Sequence, residues 1–150
     1  MTQTNVTDLH FIDDSPDEFM ITRLCLRREK INVTLSTYAE FDEFEKKVLE
    51  TEGALGNSDL VVVDLNLTVS SGIDAVRALR RNKNCEGLIV GICTGSEDPK
   101  DRLDAMRAGA DFFVTKPLNG AALERICEVV NDLACVSETD GGRILVRQCS

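Results

Sequence analysis

With 150 residues, 43% of them apolar and 29% charged, the chain has the size and make-up of one globular domain with its own core. A net charge of −9 argues against a nucleic-acid surface, which needs clustered Lys and Arg to meet phosphates. No stretch approaches the roughly 20 apolar residues of a membrane span, and residues 1–8 show neither the basic start nor the apolar stretch of a secretory signal. A cytoplasmic location is therefore expected, without nucleic-acid or membrane contact.

The N-terminal residues 1–7 are expected to be flexible. A first strand, Leu9 to Ile12, is followed by Ser15-Pro16-Asp17-Glu18, with a cap residue, a proline at the first helical position and an acid spaced for a capping box. A second strand spans Val33 to Ser36. After it, Thr37-Tyr38-Ala39-Glu40 repeats the capping-box spacing, and Phe41, Phe44 and Val48 fall on one helical face. The third strand, Leu60 to Val63, leads to a helix after Ser71 that buries Ile73, Val76 and Leu79. The fourth, Leu88 to Cys93, precedes a helix beginning near Ser96, with Glu97 and Asp98 at its positive end. The fifth, Phe112 to Thr115, leads to the most regular helix, in which Leu123, Ile126, Cys127, Val130 and Ala134 share one face.

The third and fourth strands are continuous apolar runs, the pattern of strands covered on both faces. Five βα units over residues 8–134 predict an α/β doubly wound domain, a five-stranded parallel sheet in the order 2-1-3-4-5 with five helices. Residues 135–150 form a C-terminal tail, with a polar linker from Ser137 to Gly142 and a short apolar run, Ile144-Leu145-Val146. That run fits a disordered tail, a docking strand or a dimer contact equally well.

Ligands bind open α/β sheets at the carboxyl ends of the strands, near the point where strand order reverses. The first strand ends in Asp13-Asp14, the third in Asp64, the fourth in Thr94 and the fifth in Lys116-Pro117. Strands one and three are neighbours in the expected order, so three carboxylates crowd together and repel unless a cation neutralises them. Mg²⁺ suits such an oxygen-only set. Lys116 adds a mobile point charge and Thr94 a hydroxyl that can meet a phosphoryl oxygen. Because phosphoryl transfer is mostly positioning and charge stabilisation, a carboxylate nucleophile, a metal, a lysine and a hydroxyl suffice.

Phe11-Ile12-Asp13-Asp14-Ser15, Val62-Val63-Asp64-Leu65-Asn66, Gly72, Ile92-Cys93-Thr94-Gly95, and Ala108-Gly109-Ala110-Asp111 through Val114-Thr115-Lys116-Pro117 resemble the receiver domain of bacterial response regulators. The resemblance implies a flavodoxin-like receiver fold and a phosphorelay role. Asp64 would accept a phosphoryl group from a sensor histidine kinase or a histidine phosphotransfer protein, with Asp13, Asp14, Asp64 and the backbone carbonyl of Asn66 holding Mg²⁺. Thr94 and Phe113 match the switch hydroxyl and the switch aromatic, Lys116 the lysine that pairs with the phosphoryl group, and Pro117 a proline often cis in the family. The resemblance also implies a non-enzymatic signalling domain with its own self-phosphorylation and dephosphorylation chemistry. Such a domain is a monomer or weak dimer and signals to a downstream protein through the fourth helix, fifth strand and fifth helix. Where the family often has methionine-proline before the glycine, this chain has Leu67-Thr68-Val69-Ser70-Ser71, so the loop conformation is open.

Blander readings compete at single residues. Thr94 alone could cap a helix. His10, the one histidine, sits at the start of a strand, whereas a phosphotransfer histidine needs an exposed helical position. Cys93 reads as a buried strand thiol rather than a redox sensor. Cys25, Cys85, Cys93, Cys127, Cys135 and Cys149 include no C-x-x-C pair, so reduced structural thiols are expected. Two other functions are weighed. Asp64-Leu65-Asn66-Leu67-Thr68 also resembles the nucleophile motif of haloacid-dehalogenase-type phosphatases, although Asn66 cannot serve as general acid and the acidic pair precedes the nucleophile. A phosphorylation-independent receiver-like scaffold is the second, and the intact set Asp13, Asp14, Asp64, Thr94 and Lys116 speaks against it.

Overall fold

A computed structural model describes residues 2–50 and 55–149. Five parallel strands, β2 (Asp8–Ile12), β3 (Thr34–Tyr38), β4 (Asp59–Val63), β5 (Ile89–Thr94) and β6 (Phe113–Thr115), form one sheet in the order β3-β2-β4-β5-β6. This is the expected order 2-1-3-4-5 in terms of the predicted strands. Helices α1 (Pro16–Arg28), α2 (Phe41–Phe44), α3 (Gly72–Arg81), α4 (Pro99–Ala108) and α5 (Gly120–Val129) alternate with them.

The apolar runs are explained by two separate cores. Leu60 and Val62 of β4 join Leu9, Phe11 and Ile89 in a cluster closed by Leu26 of α1 and Leu123 and Ile126 of α5. Val61 and Val63 face the other way, toward Phe44, Val76, Leu79 and Ala105 from the helices of the opposite layer. Each such side chain contributes about 1.5–3 kcal/mol on burial, so Leu60 to Val63, between the two layers, carries no polar position before Asp64. Gly91 in β5 gives room to Phe112, whose ring a Cβ would meet at 2.5 Å. Arg80, in the last turn of α3, donates to the carbonyls of Leu88 and Gly109, both at 2.8 Å, and to Asp111 Oδ2 at 2.7 Å. It thereby ties α3 to β5 and to the turn after α4.

Several local expectations are corrected. Thr37 belongs to β3 rather than to a capping box. The following helix starts at Phe41, with the Ala39 N–H held by the Glu43 carboxylate at 3.1 Å, and continues as a π-helical stretch, Glu45–Leu49. Ser15 does precede α1, but its side chain makes no cap bond. The fourth helix begins at Pro99, capped by Asp98 through the Lys100 N–H at 2.9 Å, and not at Ser96. The fifth helix stops at Val129, and Ala134 lies in a strand, β7 (Leu133–Ser137).

The largest correction concerns the ends. Residues 1–7, expected to be flexible, supply β1 (Thr2–Val6), and the tail supplies most of β7 and all of β8 (Arg143–Cys149). They form a second, antiparallel sheet in the order β1-β8-β7. Glu138 to Gly142 make the hairpin turn, where Gly141 has φ +86°. The physical reason is burial: Val6, Leu133 and Leu145 enter the same core cluster as α1 and α5, so the apolar run in the tail has a home within the chain.

Candidate functional site

Register across β2 and β4 sets Ile12 beside Val63. The next residue of each strand is an aspartate, and backbone bonds hold both: the Asp13 N–H donates to the Tyr38 carbonyl at 3.0 Å and the Asp64 N–H to the Ile12 carbonyl at 2.8 Å. Asp13, Asp14 and Asp64 each offer a carboxylate oxygen, and these oxygens lie within 4.8 Å of one another. Asp13 and Asp64 are buried, whereas Asp14 is exposed.

Lys116 completes the group. Its backbone N–H donates to the Thr94 carbonyl at 2.9 Å, and the Lys116–Pro117 peptide bond is cis. Its Nζ stands 2.9 Å from Asp13 Oδ2 and 3.4 Å from Asp64 Oδ2. Burial pushes the Asp64 pKa up, the Asp13 charge adds to the shift, and Lys116 opposes both. For Lys116 burial works downward, but the two aspartates outweigh it and the ammonium is held more firmly than usual.

Thr94 is buried at the end of β5, and its Oγ1 accepts from the Ser96 N–H at 3.3 Å. Asn66 is exposed and bridges to Ser71. Phe113 is half-buried and lines a cleft of 660 Å³ together with Arg102 and Met106 of α4 and Arg125 and Val129 of α5. Pro117 is exposed. Asp13, Asp14, Asp64 and Lys116 thus meet at one place, with Thr94 tied to it through the Lys116 backbone, while Phe113 faces a separate surface.

A divalent cation fits this place. Asp13 Oδ2 is buried with the Lys116 ammonium 2.9 Å away, and three clustered carboxylates face that single ammonium, an excess of negative charge that a cation would offset. The donors are all oxygens, the preference of a hard ion such as Mg²⁺.

Three residues that strand-end reasoning missed also belong here. Thr68 Oγ1 donates to Asp14 Oδ2 at 2.7 Å; the departure from the family's usual sequence at Leu67-Thr68 is the signal that points to it. Glu18, in the first turn of α1, acts electrostatically on Lys116 and has a buried, unbonded Oε2. Gly72 lets α3 approach the end of β4, because a Cβ there would sit 2.3 Å from the Asp64 carbonyl oxygen. His10 is not a transfer histidine: it is buried, with Nε2 2.8 Å from Asp59 Oδ1 and Nδ1 3.0 Å from the Tyr38 hydroxyl. Cys93 is a buried strand thiol, as its setting in an apolar run implied, with its pKa pushed up to about 12 by burial.

Residues 9–128 match the family of response regulator receiver domains. Over 142 residues, 91% of this chain, the sequence is 25% identical to the two-component response regulator ORR1 of Oryza sativa subsp. japonica, and it spans 61% of that relative's length. Chemotaxis response regulator CheY4 of Vibrio cholerae shares the fold with a TM-score of 0.67 at 20% identity, over 83% of this chain and 98% of that one. The receiver domain of Saccharomyces cerevisiae Ssk1, solved together with the histidine phosphotransfer signaling protein Ypd1, gives a TM-score of 0.65 at 25% identity, over 85% and 90% of the two chains. With the family match over most of its length and a CheY-like sheet carrying the acidic cluster, the chain belongs to the response regulator receiver domains of two-component signalling.

Proposed function

We propose that Asp64 accepts a phosphoryl group from a phosphohistidine on a sensor histidine kinase or a histidine phosphotransfer protein in the cytoplasm. The observation that carries this reading is the convergence of Asp13, Asp14, Asp64 and Lys116, three carboxylates against one ammonium. The partner class is supported by the Ssk1 receiver, which is solved in complex with a histidine phosphotransfer protein.

Asp13, Asp14 and Asp64 would hold Mg²⁺, with the Asn66 backbone carbonyl completing the set; when bound, the ion offsets the charge that carboxylates and phosphoryl oxygens bring together. A carboxylate oxygen of Asp64 attacks phosphorus, an O–P bond forms as the N–P bond of the phosphohistidine breaks, and the electron pair leaves with the imidazole. Lys116, already between Asp13 and Asp64, moves its ammonium to the phosphoryl oxygens. The Thr94 hydroxyl exchanges the Ser96 N–H for a phosphoryl oxygen, and Phe113 repacks in the cleft between α4 and α5. Phosphorylation thereby biases a two-state equilibrium, and the face made by α4, β6 and α5 reports it to a partner protein. The phosphatase alternative rests on the Asp64 to Thr68 motif alone, and Asn66 offers it no general acid.

The test is Mg²⁺-dependent labelling by acetyl phosphate and saturation by beryllofluoride. Labelling should require Mg²⁺ and vanish in Asp64→Asn. Normal labelling of that variant, or none of the native chain, would reject Asp64 as acceptor. Sustained release of p-nitrophenol from p-nitrophenyl phosphate would favour a phosphatase instead.

A further inference from the structure

The loop between β4 and α3 holds a contact that strand-end chemistry does not require. Leu65 and Leu67 are buried and anchor the loop to the core. Asn66 bridges to Ser71, and the Leu67 N–H donates to the Ser70 carbonyl at 3.2 Å, closing a narrow hairpin with Thr68 and Val69 at its tip. From that tip Thr68 Oγ1 donates to Asp14 Oδ2 at 2.7 Å.

The three carboxylates are held unequally. Asp13 has Lys116 on Oδ2 and the Ser15 N–H on Oδ1 at 2.9 Å, and Asp64 has Lys116. Asp14 is the exposed member and makes no ion pair among the described residues; Thr68 is the group that fixes it. A bare aspartate on the surface turns freely about its side-chain bonds, which weakens it as a ligand. A hydroxyl donating to one carboxylate oxygen stops that rotation, leaves the other oxygen available, and makes a charge-assisted bond stronger than a neutral one. Groups behind a ligand commonly set metal affinity in this way.

We infer that Thr68 is a positioning residue for a divalent cation, acting through Asp14; this rests on the Mg²⁺ reading above. The hydroxyl is the working part. Valine keeps the branched shape without the donor, and serine keeps the donor without the methyl.

Calorimetric titration with Mg²⁺ tests this on the native chain, Thr68→Val, Thr68→Ser and Asp13→Asn, alongside melting without metal. Thr68→Val should bind Mg²⁺ about tenfold more weakly, Thr68→Ser like the native chain, and the metal-free melting temperature of Thr68→Val should not move, since the side chain is exposed. Equal or tighter binding by Thr68→Val, while Asp13→Asn weakens it, overturns this inference alone. A Thr68→Val chain that melts early and is not matched by a native-like Thr68→Ser also overturns it, as a structural effect. A native chain that binds no Mg²⁺, or an Asp13→Asn chain that binds as well as the native one, overturns the metal reading and this inference with it.

Discussion

Replacing Gly72 by alanine tests how tightly α3 is packed on the end of β4. Gly72 is the first residue of α3, and a Cβ built on it lies 2.3 Å from the Asp64 carbonyl oxygen, 2.9 Å from the carbonyl carbon and 3.0 Å from Leu65 Cα. All three atoms are backbone, so no side chain can swing away. Ordinary contact begins near 3.4 Å, so α3 or the strand end must withdraw by about 1 Å, a forced shift of the kind that costs roughly 1–3 kcal/mol. Gly72 has no positive φ, so alanine suits its backbone and the cost comes from the clash. At about 2–4 °C per kcal/mol for a domain of this size, the melting temperature should fall by about 2–12 °C. Gly95, with nothing within 4 Å of its Cβ, is the control, and Gly95→Ala should stay within about 0.5 kcal/mol of native. Because the clash is with Asp64 itself, acetyl phosphate labelling of Gly72→Ala should also slow, by up to about 10²-fold. Urea unfolding followed by far-UV circular dichroism gives the stabilities. A Gly72→Ala chain as stable as Gly95→Ala, and labelled as fast as the native one, would refute the argument.

Other expectations follow from the same structure. Leu145→Ala should cost about 2–5 kcal/mol by urea titration, because Leu145 is fully buried; a tail without structure would lose nothing. Arg80→Met should cost about 1–3 kcal/mol, since two carbonyls and Asp111 lose their donor, and denaturant midpoints report it. With its pKa near 12, Cys93 holds about one thiolate in 10⁴ at pH 8, so iodoacetamide should leave it unmodified in the folded chain and alkylate it in urea, as read by mass spectrometry. Rapid labelling of the folded chain at Cys93 would contradict its burial.

The parallel sheet is legible in the sequence because its central strands are short apolar runs that end abruptly in a polar residue. Leu60 to Val63 followed by Asp64 tells both that the strand is covered on two sides and where it emerges. The acidic cluster is legible for the same reason, since strand ends are the one place where sequence fixes spatial neighbours. Helix ends are less clear. Val130 and Ala134 continue the helical spacing of α5, no glycine or proline stops it, and the break at Asn131-Asp132 has no strong local signature. Thr37 shows the opposite problem, a plausible cap signal overridden by pairing of β3 with β2. The second sheet was out of reach, because the partner of Thr2–Val6 lies at the far end of the chain and nothing local announces it. Thr68 meeting Asp14 is likewise a contact between distant loops.

The antiparallel pairing of β1 with β8 has a consequence for how the molecule is made. Thr2 lies opposite Cys149 and Val6 opposite Leu145. On a ribosome β1 emerges before any of the five parallel strands, and the segment that completes it emerges after all of them. The five-stranded sheet can assemble while synthesis continues, but β1 has to wait, its edge bare, until translation has delivered β8.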